Sequence, residues 1–353
     1  MERPVQKPIG SDLQSLDTPA LFVDSNGVAN NWTTLNAKVR ATGKKLRSNA
    51  SVYRTPALAH SVGIKSIYVD TVSEGLCFAE AGIEDILVGR IPQYAEFGLF
   101  KSLEAQCNLS VCISSFDELR IISESREESA RDIPVLFKIA LDELDLGLEP
   151  NDELMEILCE GPVGFDNIET GIYFRITSCI ADTRCAELFL WLEKVEKRLQ
   201  ELHGSEMPVV VLHNDPSESL ISSRFVTEII EDGFLFVNNR ISPCQSGTMG
   251  VIASVTSHPE PHLALLDCGQ KSIAIDRGLP SVLGNKKRQI ERMSAEHGFL
   301  AIDSMEDRIN LGEKVVLSPA NAGDTFNIYD YVNVMRDERL AAVWRIESRG
   351  KYN

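Results

Sequence analysis

Nowhere in its 353 residues does this chain hold the roughly 18 consecutive apolar residues that a membrane helix needs. Nor does an apolar signal-peptide core follow the polar opening MERPVQKPIGSDLQSLD. Bases are in deficit: 35 Lys and Arg stand against 52 Asp and Glu, for a formal net charge of -17. Phosphate backbones and anionic bilayers are held by Lys/Arg stripes, so neither nucleic acid nor a membrane is expected as a partner. The eight cysteines form no CxxC pair and no regular framework, which predicts a reduced, cytoplasmic setting with the thiols as small core residues. No G-x-G-x-x-G follows the first strand-like run, which argues against an open dinucleotide-binding sheet.

What is present is an ordinary apolar content of 43% and an alternation of short β-branched runs with amphipathic stretches. ALFVD (20–24), KLRSNA (45–50), SIYVDT (66–71), DILVGR (85–90), LSVCIS (109–114), VLFKIAL (135–141), ETGIYF (169–174), VVVLH (209–213) and GFLFVN (233–238) read as strands. Helical patterns fall between them, for example over Val28 to Ala41, 117–132 and 186–202. About eight such units in this length predict an α/β fold, a (β/α)8 TIM-like barrel of parallel strands. After residue 240 the pattern turns to short alternating segments, with turns predicted at His258-Pro259-Glu260-Pro261 and Arg336-Asp337-Glu338. The expected division is a barrel over 20–242 and a C-terminal β-domain over 243–353, which the segment 1–19 joins.

LDTPALFVD (16–24), AGIEDILVG (81–89), LLDCGQKSIAIDRGLP (265–280), SAEHGFL (294–300) and TFNIYDYVNVM (325–335) come in order along nearly the whole chain. Together they resemble the D-threonine aldolase and D-serine dehydratase-like family, fold-type III pyridoxal-phosphate (PLP) proteins related to alanine racemase. The resemblance implies an alanine racemase-type barrel, a homodimer, PLP and a divalent metal as cofactors, and carbon-carbon or carbon-nitrogen lyase chemistry on D-amino or 3-hydroxy amino acids.

The site positions depart from that pattern. Where the family has R-P-H-A-K-T-H-K, with the first lysine forming the Schiff base, this chain reads Arg47-Ser48-Asn49-Ala50-Ser51-Val52-Tyr53-Arg54. A hydroxyl at Ser51 cannot form an imine, and Asn49 stands in for a histidine. In the D-x-G-x-x-R-x-G run Gly147 is kept, but Ala140 and Asp145 take the aspartate and arginine positions, and Arg175 replaces an aromatic residue of a third run. The phosphate-loop equivalent after VVVL is His213-Asn214-Asp215-Pro216-Ser217, where Asp215 repels a phosphate and Pro216 offers no N–H. At the metal motif Asn321 and Gly323 occupy the ligand positions, leaving no imidazole.

Two readings follow. The first is a family member without PLP- or metal-dependent lyase activity, a pseudoenzyme or regulatory subunit, homodimeric or paired with an active paralogue. The second is an active amino-acid lyase or aldolase with a rebuilt polar site for a small amino acid or related zwitterion, from Arg47, Asn49, Ser51, Tyr53, Asp145, Arg175, His213, Asp215 and Asn321. Lys138, which shares strand parity with Ala140, is the candidate substitute amine; against it stands an outward or acid-paired Lys138. The glycines at 269 and 278 are expected to serve turns with positive φ, and His297 to be structural.

Overall fold

The computed structural model describes residues 7–91, 97–125, 132–141, 147–160, 168–176, 182–202, 207–213, 216, 218–236, 248–285, 287–302 and 308–352. The chain divides into two compact units, one of Leu35–Ser51, Ile64–Asp232 and Lys351–Asn353, the other of Met1–Thr34, Val52–Gly63 and Gly233–Gly350. Among the described residues no helix is long and apolar enough to cross a membrane. In chain order the first elements are β1 (Ala20–Asp24), α1 (Ser25–Arg40), β2 (Lys45–Asn49), α2 (Ala50–Tyr53) and α3 (Pro56–Val62). Then follow β3 (Ser66–Val69), α4 (Val72–Glu80), β4 (Asp85–Val88), α5 (Phe97–Gln106), β5 (Asn108–Ile113), α6 (Phe116–Ser125), β6 (Ile133–Ile139) and α7 (Asp152–Glu160). β7 (Ile168–Ile176), α8 (Asp182–Leu202), β8 (Val209–His213), α9 (Glu218–Ile221) and β9 (Glu228–Glu231) come next in the chain.

Eight described strands, β2 to β9, close into a barrel in which every neighbouring pair is parallel. Parallel strands buried on both faces need apolar residues at successive positions, which is why β4 to β6 read as nearly continuous hydrophobic runs. One parity fills the barrel: Tyr68, Leu87, Cys112, Leu136, Tyr173, Val210, Leu212 and Ile230 pack together in its interior. The opposite parity, including Ile67, Ile86, Val111, Phe137 and Phe174, is fully buried; α4 packs on β3 and β4, and α5 and α6 on β5.

The expected TIM-like barrel with a C-terminal β-domain is present, but two strand assignments are corrected. The run 20–24, expected to open the barrel, lies in the other unit, antiparallel to β10 (Met249–Glu260) and parallel to β16 (Tyr331–Arg336). The closing strand is Glu228-Ile-Ile-Glu231, whereas 233–238, read as a strand, contains a 3-10 turn over Phe234–Phe236. Two glutamates in four residues look like surface in a sequence. Both are buried here, Glu228 on Arg47 and Glu231 on the Ser48 hydroxyl.

The second unit is built on a sheet containing β1, β10, β11 (Leu263–Leu266), β12 (Ser281–Val282), β13 (Arg288–Met293), β14 (Gly298–Ile302), β15 (Lys314–Ser318), β16 and β17 (Arg339–Arg345). Helix α10 (Ala322–Ile328) lies between β15 and β16. Leu13, Leu16, Phe22, Ile252, Val316 and Met335 form a core cluster of this sheet. The β16–β17 turn falls at Asp337 and Glu338, both at positive φ, as the expected turn requires. The other turn is displaced: β10 runs through Glu260, and the reversal is at Pro261-His262.

Asp24, buried at the end of β1, accepts the Gly27 N–H at 3.0 Å. Burial raises its pKa, backbone N–H groups of Gly27 and Asn26 oppose this, and the negative charges of Asp337 and Glu338 raise it further. A raised folded-state pKa favours folding at acid pH, an advantage lost as pH rises through that value. Asp24→Asn is therefore expected to gain stability relative to the parent between pH 4 and pH 7, read as the difference in urea midpoints. A pH-independent difference would refute the assignment.

Candidate functional site

The polar residues of the barrel interior sort into two levels. At the floor, Arg47 in β2 is almost fully buried and reaches toward the strand beginnings. Its guanidinium donates to Glu228, the first residue of β9, to the Ile67 carbonyl at 2.9 Å, and to Asp85, the first residue of β4, at 3.0 Å. Ser66 donates to the other Asp85 oxygen at 2.7 Å. Burial works against the Arg47 charge, but the two carboxylates outweigh it and raise its pKa. Arg47, expected in a pocket at the strands' C-terminal ends, is instead consumed by an ion triad at the opposite end. Its inward parity misled, because a long side chain can turn down the barrel axis.

Above the floor Tyr68 and Tyr173 stack with centroids 6.0 Å apart and planes 6° from parallel. Burial raises both phenol pKa values well above the ordinary range, so both keep their protons. Gly89, just past β4, is required here: a Cβ would collide with the Tyr68 hydroxyl. Buried Cys112 lies at the same level, its thiol pKa pushed up to about 12 by burial with the Lys138 charge opposing.

At the C-terminal ends of the strands a polar rim is assembled. Asn49, the last residue of β2, donates to Asp232 at 2.8 Å, and Arg175 of β7 donates to the other Asp232 oxygen at 3.3 Å. Lys138, penultimate in β6, shares parity with inward Leu136, is in register with Tyr173, and acts on the Cys112 thiol; it points inward. Among the described residues no carboxylate pairs with its ammonium. The backbone there is locked, since the Lys138 carbonyl accepts the Leu148 N–H at 2.8 Å and Ala140 N–H donates to the Leu148 carbonyl at 3.1 Å. Gly147 is retained for this close approach, because a Cβ would lie 2.8 Å from the Lys138 carbonyl oxygen.

Ser51 lies in the turn after β2. Its hydroxyl donates to Glu74 at 2.6 Å and accepts the Asp70 N–H at 2.7 Å, and its N–H donates to Asn49 Oδ1 at 3.1 Å. Glu74 is held by the start of α4: Thr71 caps the helix by accepting the Glu74 N–H, and the Glu74 carboxylate turns back to the Asp70 N–H at 3.1 Å. The position equivalent to a Schiff-base lysine is thus a buried hydroxyl anchored to a buried carboxylate. These residues do not fit PLP in the family manner.

Asp145, Asn214, Asp215 and Ser217 lie outside the described residues. His213 shares parity with outward Val211, not with inward Val210 and Leu212, which moves it off the interior face. Tyr53 belongs to the other unit, fully buried and edge-on to Phe236 at 6.4 Å. In that same unit Asn321 caps α10, accepting the Asp324 N–H, while its amide donates to Asp276 and Asp324 at 2.9 and 2.8 Å. An N–H donor between two carboxylates, beside side-chain-less Gly323, does not fit a divalent ion. Sequence reading missed Asp70, Glu74 and Asp232; for Asp70 the available signal was parity with Tyr68 at the end of its strand.

Two family models match the chain: alanine racemase, N-terminal domain, over residues 23–223, and putative serine dehydratase domain over 248–335. D-threonine aldolase of Arthrobacter sp. is 24% identical over 97% of this chain and 95% of its own length. 3-Hydroxy-D-aspartate aldolase of Paracoccus denitrificans (strain Pd 1222) is 22% identical over 97% of this chain and 94% of its own. Among solved structures, D-threonine aldolase from Filomicrobium marinum superposes with a TM-score of 0.88 at 22% identity, covering 99% of this chain and 100% of that one.

Proposed function

The chain belongs to the D-threonine aldolase and D-serine dehydratase-like family of fold-type III barrels, and from that premise we propose that it has left the PLP- and metal-dependent lyase reaction. It is proposed as a regulatory or partner subunit, homodimeric or paired with an active paralogue, in a cytoplasmic setting. One observation carries the reading: the hydroxyl of Ser51, held by Glu74, at the position of the family's imine-forming lysine. An imine needs a primary amine there, and a buried carboxylate beside it would favour a charged, unreactive group. The Asn321 amide spanning Asp276 and Asp324 supports the same reading for the metal.

The purified protein, supplied with PLP, is expected to show no visible aldimine absorbance and no pyridoxyl adduct after borohydride reduction. A yellow protein with a reducible pyridoxyl lysine would overturn the proposal. The rim of Asn49, Arg175, Asp232 and Lys138 favours a second reading, an enzyme with a rebuilt site for a small amino acid or related zwitterion. Turnover of D-threonine or D-serine to a carbonyl product would favour it.

A further inference from the structure

Lys138 sits half-buried on the inner face of the barrel, one residue from the C-terminal end of β6. A lysine there normally ends in a carboxylate pair or snorkels to water. This one has no carboxylate partner among the described residues. Its backbone is clamped by Leu148, and Tyr173 of the Tyr68–Tyr173 stack is its register partner on the neighbouring strand, a protonated phenol. Arg175 is two residues beyond Tyr173 on the same inner face; among the described residues its Nε–H is buried without an acceptor, while its Nη2 is on Asp232. A buried guanidinium N–H with no acceptor costs free energy unless a ligand supplies one.

We infer that Lys138 is an imine-forming amine for small 2-oxo acids, with Arg175 Nε–H receiving the ligand's carboxylate. The inference goes beyond the proposed function, and rests on it only in that PLP must not fill this end of the barrel. An arginine donor selects an anion, and the neighbouring Asp70 and Asp232 disfavour a dianion, which leaves a monocarboxylate. An amine with no carboxylate partner among the described residues selects a carbonyl carbon next to that carboxylate.

The step balances without a redox partner. Deprotonated Nζ attacks the C2 carbonyl carbon, the carbonyl π pair goes to oxygen, and a proton makes a carbinolamine. Loss of its hydroxyl as water and of the N–H proton leaves the C=N bond, so amine and ketone give imine and water.

The test is pyruvate with sodium borohydride, which delivers hydride to the imine carbon and leaves a secondary amine that peptide mass spectrometry can locate. The adduct is expected on Lys138 and absent from Lys138→Arg, which keeps the charge but cannot form the imine; circular dichroism confirms that this variant folds. Arg175→Gln is expected to need about tenfold more pyruvate for half-maximal labelling, and acetone, which lacks the carboxylate, to label poorly. No Lys138 adduct, labelling spread evenly over surface lysines such as Lys194 and Lys197, or unchanged labelling in Arg175→Gln would each overturn the inference. Borohydride alone separates the two claims. A pyridoxyl adduct in that arm removes the proposed function, whereas a failed pyruvate arm removes only this inference.

Discussion

Replacing Arg47 with alanine is expected to destabilise the protein by about 3–5 kcal/mol, the largest effect of any single polar substitution considered. The substitution strands Glu228 and Asp85 with no cation at the closed end of the barrel, and it also removes the donor to the Ile67 carbonyl. Charges taken out of water are tolerable when mutually paired and very costly when one partner is deleted. The measurement is urea unfolding at neutral pH. Removing the charges together, with Arg47→Met, Asp85→Asn and Glu228→Gln, is expected to recover most of the loss. A single-variant loss under about 1 kcal/mol would show that the triad is solvated.

Gly269→Ala carries the second large effect, about 3 kcal/mol. Its φ is not positive, so the expected turn role is corrected. A Cβ at this position would lie 2.5 Å from Ala295 O, Glu296 C and His297 N, all backbone atoms that cannot rotate away. Gly278 is the opposite case: φ is 127° and the nearest atom to a Cβ is 3.9 Å away, so Gly278→Ala is expected to cost about 1–2 kcal/mol through backbone strain alone. Paired unfolding curves decide between them, and a larger loss at 278 than at 269 would reverse the argument.

The second glycine illustrates what could be read in advance. Both positions fall in a run that pointed to the family, and the need for glycine at each was legible. Which physical reason applied was not, because close approach depends on where the Ser294–His297 turn folds back, with the Ser294 N–H on the His297 carbonyl. The same turn places His297 in an exposed hydrogen-bonded corner, its N–H on Ser294 Oγ at 3.0 Å. β9 escaped notice for a related reason: Glu-Ile-Ile-Glu looks like surface until Arg47 and Ser48 are brought opposite.

By itself the sequence determined the class of fold and the functional group that stands at each aligned position. Parallel-strand hydrophobic runs and their spacing follow from local periodicity, and the replacement of a lysine by Ser51 is a statement about functional groups that no folding can alter. Tertiary structure alone decided which polar residues share a space. Strand parity puts Arg47, Asn49, Lys138 and Arg175 on one face, but parity carries no information on height along the barrel axis or on partners distant in sequence. Asp85 and Glu228 drew Arg47 to the floor, Asp232 tied Asn49 to Arg175 at the rim, and Lys138 was left inward with an ammonium that no described carboxylate neutralises.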